Sequence, residues 1–264
     1  GGAGAAGGQV GGGAGSGAAG AAGGGAGGAG AGGSPPSGLP DVGALVVLGD
    51  SIGDGGGQGP FYYELLKADL SAKYGNVKYV NNANGGSKTD DLAGQIKGLP
   101  GSLPGPVAVT VTSGGNDMKE ALPLILAGAD AMLRAKMGQN IDQALGLLLQ
   151  PGRFGPGVAV YVFEANIYDA SDGQGNFKSG GCAIKQNAPD PSKVDGYFAA
   201  WNGEIATRVS GRGQTLSDIH GLFYGHGFNG NDKWYASDCT HPNAKGHDQL
   251  RRLFYEQITG EKLP

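Results

Sequence analysis

The chain has 264 residues, a formal net charge of −4 and 56 glycines. It lacks the clustered lysine and arginine face that nucleic-acid binding needs, so no nucleic-acid partner is expected. Residues 1–33 contain only Gly, Ala, one Ser, one Gln and one Val. We expect residues 1–40 to be a flexible tether, because side chains this small cannot offset the entropy of ordering the backbone. Residues 41–264 are long enough for one α/β domain.

Short apolar runs alternate with helical patterns along the rest of the chain. The predicted strands are 44–48, 77–80, 107–112, 158–163 and a weaker 215–219. The predicted helices are 61–74, 88–96, 117–137, 141–149, 194–209 and 243–258, and Pro123 is a candidate break in the third of them. Continuously apolar strands are typical of parallel sheets covered on both faces. We therefore predict a three-layer α/β/α sandwich with about five parallel strands, whose ligand site lies beyond the carboxyl ends of the strands.

Two segments carry groups for nucleophilic catalysis. Gly49-Asp50-Ser51 follows the first predicted strand, and the segment from Asp238 to His241 precedes the last predicted helix. A serine hydroxyl is a weak nucleophile that needs a base, and His241 is the candidate for that role. Asp238 is close enough in sequence to orient the imidazole. The alternative is that Asp50 and Ser51 only stabilise a turn, where both residue types are common.

Two further polar segments follow the second and third predicted strands. The first runs from Asn81 to Ser87 and includes Gly85 and Gly86, and the second runs from Thr112 to Asp117 and includes Asn116. A glycine N–H and an asparagine amide are suitable donors to the oxyanion of an acyl-transfer reaction. Taken singly, each segment also fits an ordinary turn. Asp117 is interpreted as the cap of the helix that follows.

In this order the segments resemble the motifs of the GDSL/SGNH hydrolase superfamily, the serine esterases and lipases of the bacterial type. The matching positions are Ser51 in GDS, Gly86, the GxND motif at 114–117 and the DxxHPNxxG motif at 238–246, and the resemblance covers residues 44–258. It implies a flavodoxin-like hydrolase domain over residues 41–264. It also implies a triad of Ser51, His241 and Asp238, with an oxyanion hole made by the N–H groups of Ser51 and Gly86 and the side chain of Asn116. Gly85 is an alternative to Gly86.

Residues 49–53 also match the GxSxG nucleophile elbow of α/β-hydrolases, but only one predicted strand precedes them, which disfavours that fold. The long predicted loop at 166–193 contains Cys182, and the catalytic segment contains Cys239. We predict a disulfide between these cysteines that holds the loop over the site; two buried free thiols are the alternative. Candidates to line the substrate site are Asp50, His220, His226 and Trp234. For the two histidines, turn or core positions are an equal alternative, and a metal site with Asp218 is a weaker one.

The expected function is that of a secreted or cell-envelope-attached bacterial serine esterase. The resemblance implies hydrolysis of carboxylic esters through an acyl-serine intermediate without metal or cofactor, as in a carbohydrate acetylesterase or a lipase. The polar, glycine-rich loops favour a small acyl group on a polar small-molecule or glycan substrate. We expect a monomer, attached to a membrane or cell surface through its N-terminal segment. The alternatives are a non-catalytic module that binds glycan or phosphate, and a surface component whose working part is the tether.

Overall fold

The computed structural model describes residues 38–178, 180, 182 and 186–263. The predicted tether lies outside these residues except for Gly38, Leu39 and Pro40. Leu39 is buried, and its N–H donates to the carbonyl of Ile258 over 2.7 Å, so the chain already packs against the domain at this point. Within the described residues, no helix combines the length and the apolar character that crossing a membrane requires.

A five-stranded parallel sheet forms the centre of the domain. The strands are β1 (Ala44–Gly49), β2 (Lys78–Asn81), β3 (Val107–Thr112), β4 (Val160–Ala165) and β5 (Thr215–Ser217), in the order β2-β1-β3-β4-β5. This is the flavodoxin-like order, in which the chain reverses direction across the sheet beside β1. β1 pairs with β3 along its whole length, whereas its pairing with β2 stops at Val47. The predicted fold class is confirmed.

In the part of the chain that the structure describes, seven α-helices cover the two faces of the sheet. They are α1 (Tyr62–Tyr74), α2 (Leu92–Lys97), α3 (Gly115–Leu126), α4 (Ala131–Leu148), α5 (Val194–Gly211), α6 (Ile219–Phe223) and α7 (Ala244–Thr259). Successive side chains of a strand point to opposite faces. Leu45 and Val47 of β1 therefore pack in one core with α1, α6 and α7, and Val46 and Leu48 pack in the other with α2 to α5.

The helix predicted at 117–137 is interrupted, but the break is not at Pro123. Pro123 lies inside α3 on its exposed side. The helix ends three residues after Pro123, where Gly128 adopts a φ of +68°. The Gly128 N–H donates to the carbonyl of Ile125, and the Ala129 N–H donates to that of Leu124. This Schellman pattern satisfies the last carbonyl groups and terminates the helix.

The predicted break between residues 137 and 141 is wrong, because α4 continues through Gly138. A side chain at Gly138 would collide with the carboxylate of Glu204 on α5. Glycine here costs some helix propensity and leaves room for the Glu204 carboxylate in its present position. β4 is shifted two residues towards the C-terminus of the predicted strand, and α6 was not predicted.

Candidate active site

Ser51 lies in a tight turn at the carboxyl end of β1. Gly49 has a φ of +114°, and a side chain there would collide with the Thr112 carbonyl of β3. Glycine is therefore required where the chain leaves the sheet. The carbonyl of Ser51 accepts hydrogen bonds from the N–H groups of Asp54 at 3.2 Å and Gly56 at 2.6 Å. These bonds fold the turn back on itself and present the Ser51 side chain at the edge of the sheet.

A chain of hydrogen bonds joins the three predicted triad residues. His241 Nε2 lies 2.8 Å from Ser51 Oγ, and His241 Nδ1 lies 2.6 Å from Asp238 Oδ2. The other carboxylate oxygen of Asp238 accepts the backbone N–H groups of Thr240 at 2.9 Å and His241 at 3.0 Å. Cys239, which lies between Asp238 and Thr240, adopts a φ of +55°, in the left-handed region, so the segment curls around the carboxylate. This geometry allows proton transfer from serine to imidazole.

The electrostatics of Asp238 favour its ionised form. Partial burial alone would raise the pKa of the Asp238 carboxyl, but the hydrogen bonds from the His241 ring and from two backbone N–H groups outweigh this effect. The pKa is therefore held below its ordinary value. A carboxylate that stays ionised at neutral pH can orient the imidazole and stabilise the imidazolium that forms when the serine proton is accepted.

The backbone N–H groups of the predicted oxyanion donors differ in their hydrogen bonding. Those of Ser51 and Gly86 donate to no acceptor among the described residues. The Gly85 N–H, by contrast, is bound to Asp54 Oδ2 at 2.8 Å. Gly86 has a φ of +83°, in the left-handed region that favours glycine. These contacts favour Gly86 over Gly85 as an oxyanion donor.

Asn116 lies in the first turn of α3, and its Nδ2 donates to the carbonyl of Ser87 over 2.9 Å. This bond uses one of the two amide hydrogens and fixes the amide beside Gly86. Asp117 does not cap the helix, because Gly114 occupies the N-cap position. The Asp117 carboxylate instead accepts the N–H and the hydroxyl of Thr89, at 3.0 and 2.7 Å. It thereby ties the loop after β2 to α3.

Two carboxyl groups are buried beneath the turn that contains Ser51. Asp50 Oδ1 accepts the N–H of Ile52 and the hydroxyl of Thr112, both at 3.0 Å, and burial raises the Asp50 pKa to about 6. Glu164 on β4 accepts the Ser113 hydroxyl at 2.7 Å. Burial, with a smaller contribution from the Asp50 charge, raises the Glu164 pKa to about 8. Burial therefore favours the protonated form of both carboxyl groups, and it does so more strongly for Glu164.

The predicted disulfide between Cys182 and Cys239 is confirmed, with Cα atoms 5.0 Å apart. Because Cys239 lies between the aspartate and the histidine, the bond joins the long loop directly to the catalytic segment. The Tyr168 hydroxyl, from the start of the same loop, donates to the Thr240 carbonyl at 2.5 Å. The loop is thus attached to the catalytic segment at two points.

A cavity of about 160 Å³ adjoins Ser51 and His241. Asp50 and Asn116 also line it, but most of its walls are apolar. They include Leu122, Ile125 and Leu126 of α3, Phe177 of the long loop, and Val194 and Phe198 of α5. The polar loops of the sequence favour a small, polar substrate. The cavity walls, however, come mainly from helices, and in the sequence their apolar residues look like ordinary core residues. Such a lining fits hydrocarbon.

Three other predicted residues lie elsewhere. His220, His226 and Trp234 are not among the described residues that line the cavity. His220 Nδ1 contacts the Ile167 carbonyl at 3.0 Å. The His226 ring stacks on Trp234 with 3.6 Å between centroids, and the indole N–H of Trp234 contacts Asp232 at 3.3 Å. These contacts are typical of structural side chains.

Sequence reasoning missed Asp54, Tyr168 and Phe177, all of which support or line this site. Asp54 lies three residues after Ser51, where an acidic turn residue is unremarkable in sequence. Tyr168 and Phe177 lie in the loop already singled out for its length, and aromatic side chains in a polar loop were the available signal. Their roles depend on which segments meet in space.

Comparisons with known proteins identify the family and the fold. The profile of the GDSL-like lipase/acylhydrolase family matches residues 47–249. A search of curated proteins found no significant match. Among solved structures, the chain is similar to phospholipase A1 from Streptomyces albidoflavus NA297, with 20% identity and a TM-score of 0.60 over 82% of this chain and 100% of that one.

Two further solved structures share the fold. An extracellular lipase from Streptomyces rimosus has 20% identity and a TM-score of 0.60, over 81% of this chain and 99% of that one. An acetylxylan esterase from Geobacillus stearothermophilus has 17% identity and a TM-score of 0.53, over 84% of this chain and 95% of that one. Because the family profile covers well over half of the chain, the protein belongs to the GDSL-like lipase/acylhydrolase family and is an ester-hydrolysing serine hydrolase.

Proposed function

We propose that Ser51, His241 and Asp238 carry out the hydrolysis of carboxylic esters with apolar acyl chains. The hydrogen-bond chain from Ser51 Oγ through His241 to Asp238 carries this proposal. His241 Nε2 accepts the Ser51 proton as Oγ bonds to the ester carbonyl carbon. The N–H groups of Ser51 and Gly86 and the Asn116 amide then stabilise the resulting oxyanion.

The two half-reactions use the same groups. When the tetrahedral intermediate collapses, the bond to the alcohol breaks and His241 donates its proton to the leaving oxygen. Water then attacks the acyl-serine carbonyl while His241 accepts a proton from it. Collapse of this second intermediate releases the carboxylic acid, and the proton returns to Ser51 Oγ. The residues thus return to their starting state.

The apolar cavity supports the choice of acyl group. Its walls converge on the nucleophile from α3, α5 and the long loop, so a hydrocarbon chain attached to the ester carbonyl can be removed from water there. Each buried methylene contributes about 0.8 kcal/mol to binding. An acyl chain longer than acetyl therefore gains affinity. The disulfide supports an oxidising compartment, and we place the enzyme outside the cytoplasm or at the cell envelope.

The test of the nucleophile is Ser51→Ala, with Ser102→Ala as the matched control on an exposed loop. We expect Ser51→Ala to lose turnover of p-nitrophenyl butyrate and labelling by a fluorophosphonate, while circular dichroism stays unchanged. Ser102→Ala should keep both. A Ser51→Ala protein that hydrolyses the ester at the wild-type rate would refute the assignment.

The acyl cavity has its own test. Leu122 lines it, whereas Leu124, two positions along α3, is exposed and does not. Leu122→Trp should lower kcat/KM for p-nitrophenyl octanoate about tenfold or more and leave acetate turnover within twofold, because lost methylene contacts are worth about 0.8 kcal/mol each. Leu124→Trp should change neither. Equal effects of Leu122→Trp on both esters would contradict the proposed location of the acyl chain.

A further inference from the structure

The candidate oxyanion donors come from separate segments that must be held at a fixed distance. The N–H of Ser51 follows β1, whereas the N–H of Gly86 lies in an exposed loop after β2. Oxyanion donors are effective only within about 2.7–3.1 Å of the developing charge. A side chain that joins these two segments therefore affects the reaction without touching the substrate.

Two contacts already join these segments, from the Gly85 N–H to Asp54 Oδ2 at 2.8 Å and from the Asn84 N–H to the Gly49 carbonyl at 3.0 Å, and Gln95 adds a third. It lies on the short helix α2, and its carboxamide contacts both segments. Its Oε1 accepts the N–H of Gly49 at 2.8 Å, and its Nε2 donates to the carbonyl of the same residue at 2.8 Å. The Nε2 group also lies 3.2 Å from the hydroxyl of Ser87. Gly49 precedes Ser51 by two residues, and Ser87 directly follows Gly86.

The sheet explains why a side chain is needed at Gly49. β1 continues to Gly49, but β2 pairs with it only as far as Val47, and the backbone of β3 occupies the other side. Gly49 is buried, so without a partner its N–H would carry a desolvation cost. The Gly49 carbonyl also accepts the Asn84 N–H at 3.0 Å, so it is the Gly49 N–H that depends on the Gln95 carboxamide. The backbone carbonyl of Gln95 accepts the Asn82 side-chain amide at 3.0 Å, which fixes the base of the Gln95 side chain.

We propose that Gln95 is a positioning residue for ester hydrolysis: it joins the end of β1 to the Gly86 loop so that the N–H groups of Ser51 and Gly86 converge on one oxyanion. The inference rests on the proposed function. It requires an acceptor and a donor on one side chain. A carboxylate of the same length can accept from Gly49 but cannot donate to its carbonyl.

The experiment compares Gln95→Glu and Gln95→Met with Gln139→Glu, the same chemical change on the exposed face of α4. Active sites are counted with a fluorophosphonate, so kcat refers only to folded, reactive enzyme. We expect both Gln95 variants to lower kcat for p-nitrophenyl butyrate by about tenfold to a hundredfold, since small misplacements of donors are this costly. KM should stay within about twofold, because ground-state binding uses the apolar cavity. Gln139→Glu should match the wild type.

A second readout separates positioning from a loss of folding. An alkylboronic acid adds to the serine and mimics the tetrahedral oxyanion, so its inhibition constant should rise in step with the fall in kcat/KM. Values of kcat and boronate affinity within twofold of wild type in Gln95→Glu would overturn the proposal. If neither Gln95 variant folds, Ser87→Ala decides. It removes only the bond to the Gly86 loop, and kcat should fall about fivefold at constant KM; an unchanged kcat overturns the proposal.

The control Ser51→Ala distinguishes the two levels of inference. If Ser51→Ala retains turnover, the proposed function fails, and the role of Gln95 fails with it. If Ser51→Ala is inactive while both Gln95 variants keep wild-type kcat, only the positioning role is overturned.

Discussion

Replacing Glu164 by glutamine should stabilise the protein in a pH-dependent way. The Glu164 carboxyl is buried in β4 and accepts the Ser113 hydroxyl, and burial raises its pKa from 4.5 to about 8. In the unfolded chain the same group ionises at its ordinary pKa. Between these two pH values the folded protein holds a proton that the unfolded chain releases, so folding becomes less favourable as the pH rises.

The magnitude follows from the pKa difference. Each pH unit between the two pKa values costs about 1.4 kcal/mol, so the wild type should lose about 3 kcal/mol of unfolding free energy between pH 5 and pH 7 through this group. The loss stops above about pH 8, where the folded protein also releases the proton. Glu164→Gln resembles the protonated acid in shape, and its amide oxygen can still accept from Ser113. The variant should therefore lack this loss.

Urea unfolding at pH 5 and pH 7, followed by tryptophan fluorescence, measures the effect. The difference in unfolding free energy between Glu164→Gln and wild type should grow by about 3 kcal/mol from the lower to the higher pH. Glu64→Gln, an exposed position on α1, provides the control and should give the same small difference at both values. A Glu164→Gln difference that does not change between pH 5 and pH 7 would refute the argument that Glu164 is protonated in the folded protein.

Three further outcomes are expected. Cys182→Ser should lower the unfolding free energy by about 4 kcal/mol, since the Cys182–Cys239 bond closes a loop of 57 residues. The variant should also raise KM for octanoate esters, and adding a reductant to the wild type should have both effects. Gly86→Ala should lower kcat because its φ is positive, whereas Gly85→Ala should retain at least half of the wild-type kcat, which steady-state assays will show. Burial lowers the His247 pKa from 6.5 to about 4, so between these pH values the unfolded chain binds a proton that the folded protein does not, and acidification destabilises the fold. His247→Phe should reduce this loss of stability, as measured by thermal unfolding across the same pH range.

The sheet and the meeting of Ser51 with His241 were predictable from sequence, for a local reason. Each proposed catalytic group lies within a few residues of a strand end or a helix start, and parallel strands bring such positions to one edge. Asp238 needs only a three-residue turn to reach His241. Short-range geometry and strand alternation therefore determine the centre of the site.

The support around the site was not predictable, because it depends on where individual strands stop. The fourth strand was predicted to end at Phe163, which left Glu164 in a loop, whereas β4 extends to Ala165 and buries that carboxyl group. Gln95 contacts Gly49 only because β2 ends before β1 does. A shift of two residues thus decides whether a polar side chain reaches solvent or the backbone of a strand.

The contact between Leu39 and Ile258 determines which side of the domain faces a support or another protein that is attached at its ends. Leu39 precedes β1 and Ile258 lies in the last turn of α7, so both ends of the folded domain emerge at the amino-terminal edge of the sheet. Ser51 lies at the other end of β1, about 20 Å away for a strand of six residues. A resin, a label or a carrier domain joined at either end would therefore leave the mouth of the cavity facing outwards. Substrates presented on a surface or polymer could still approach it.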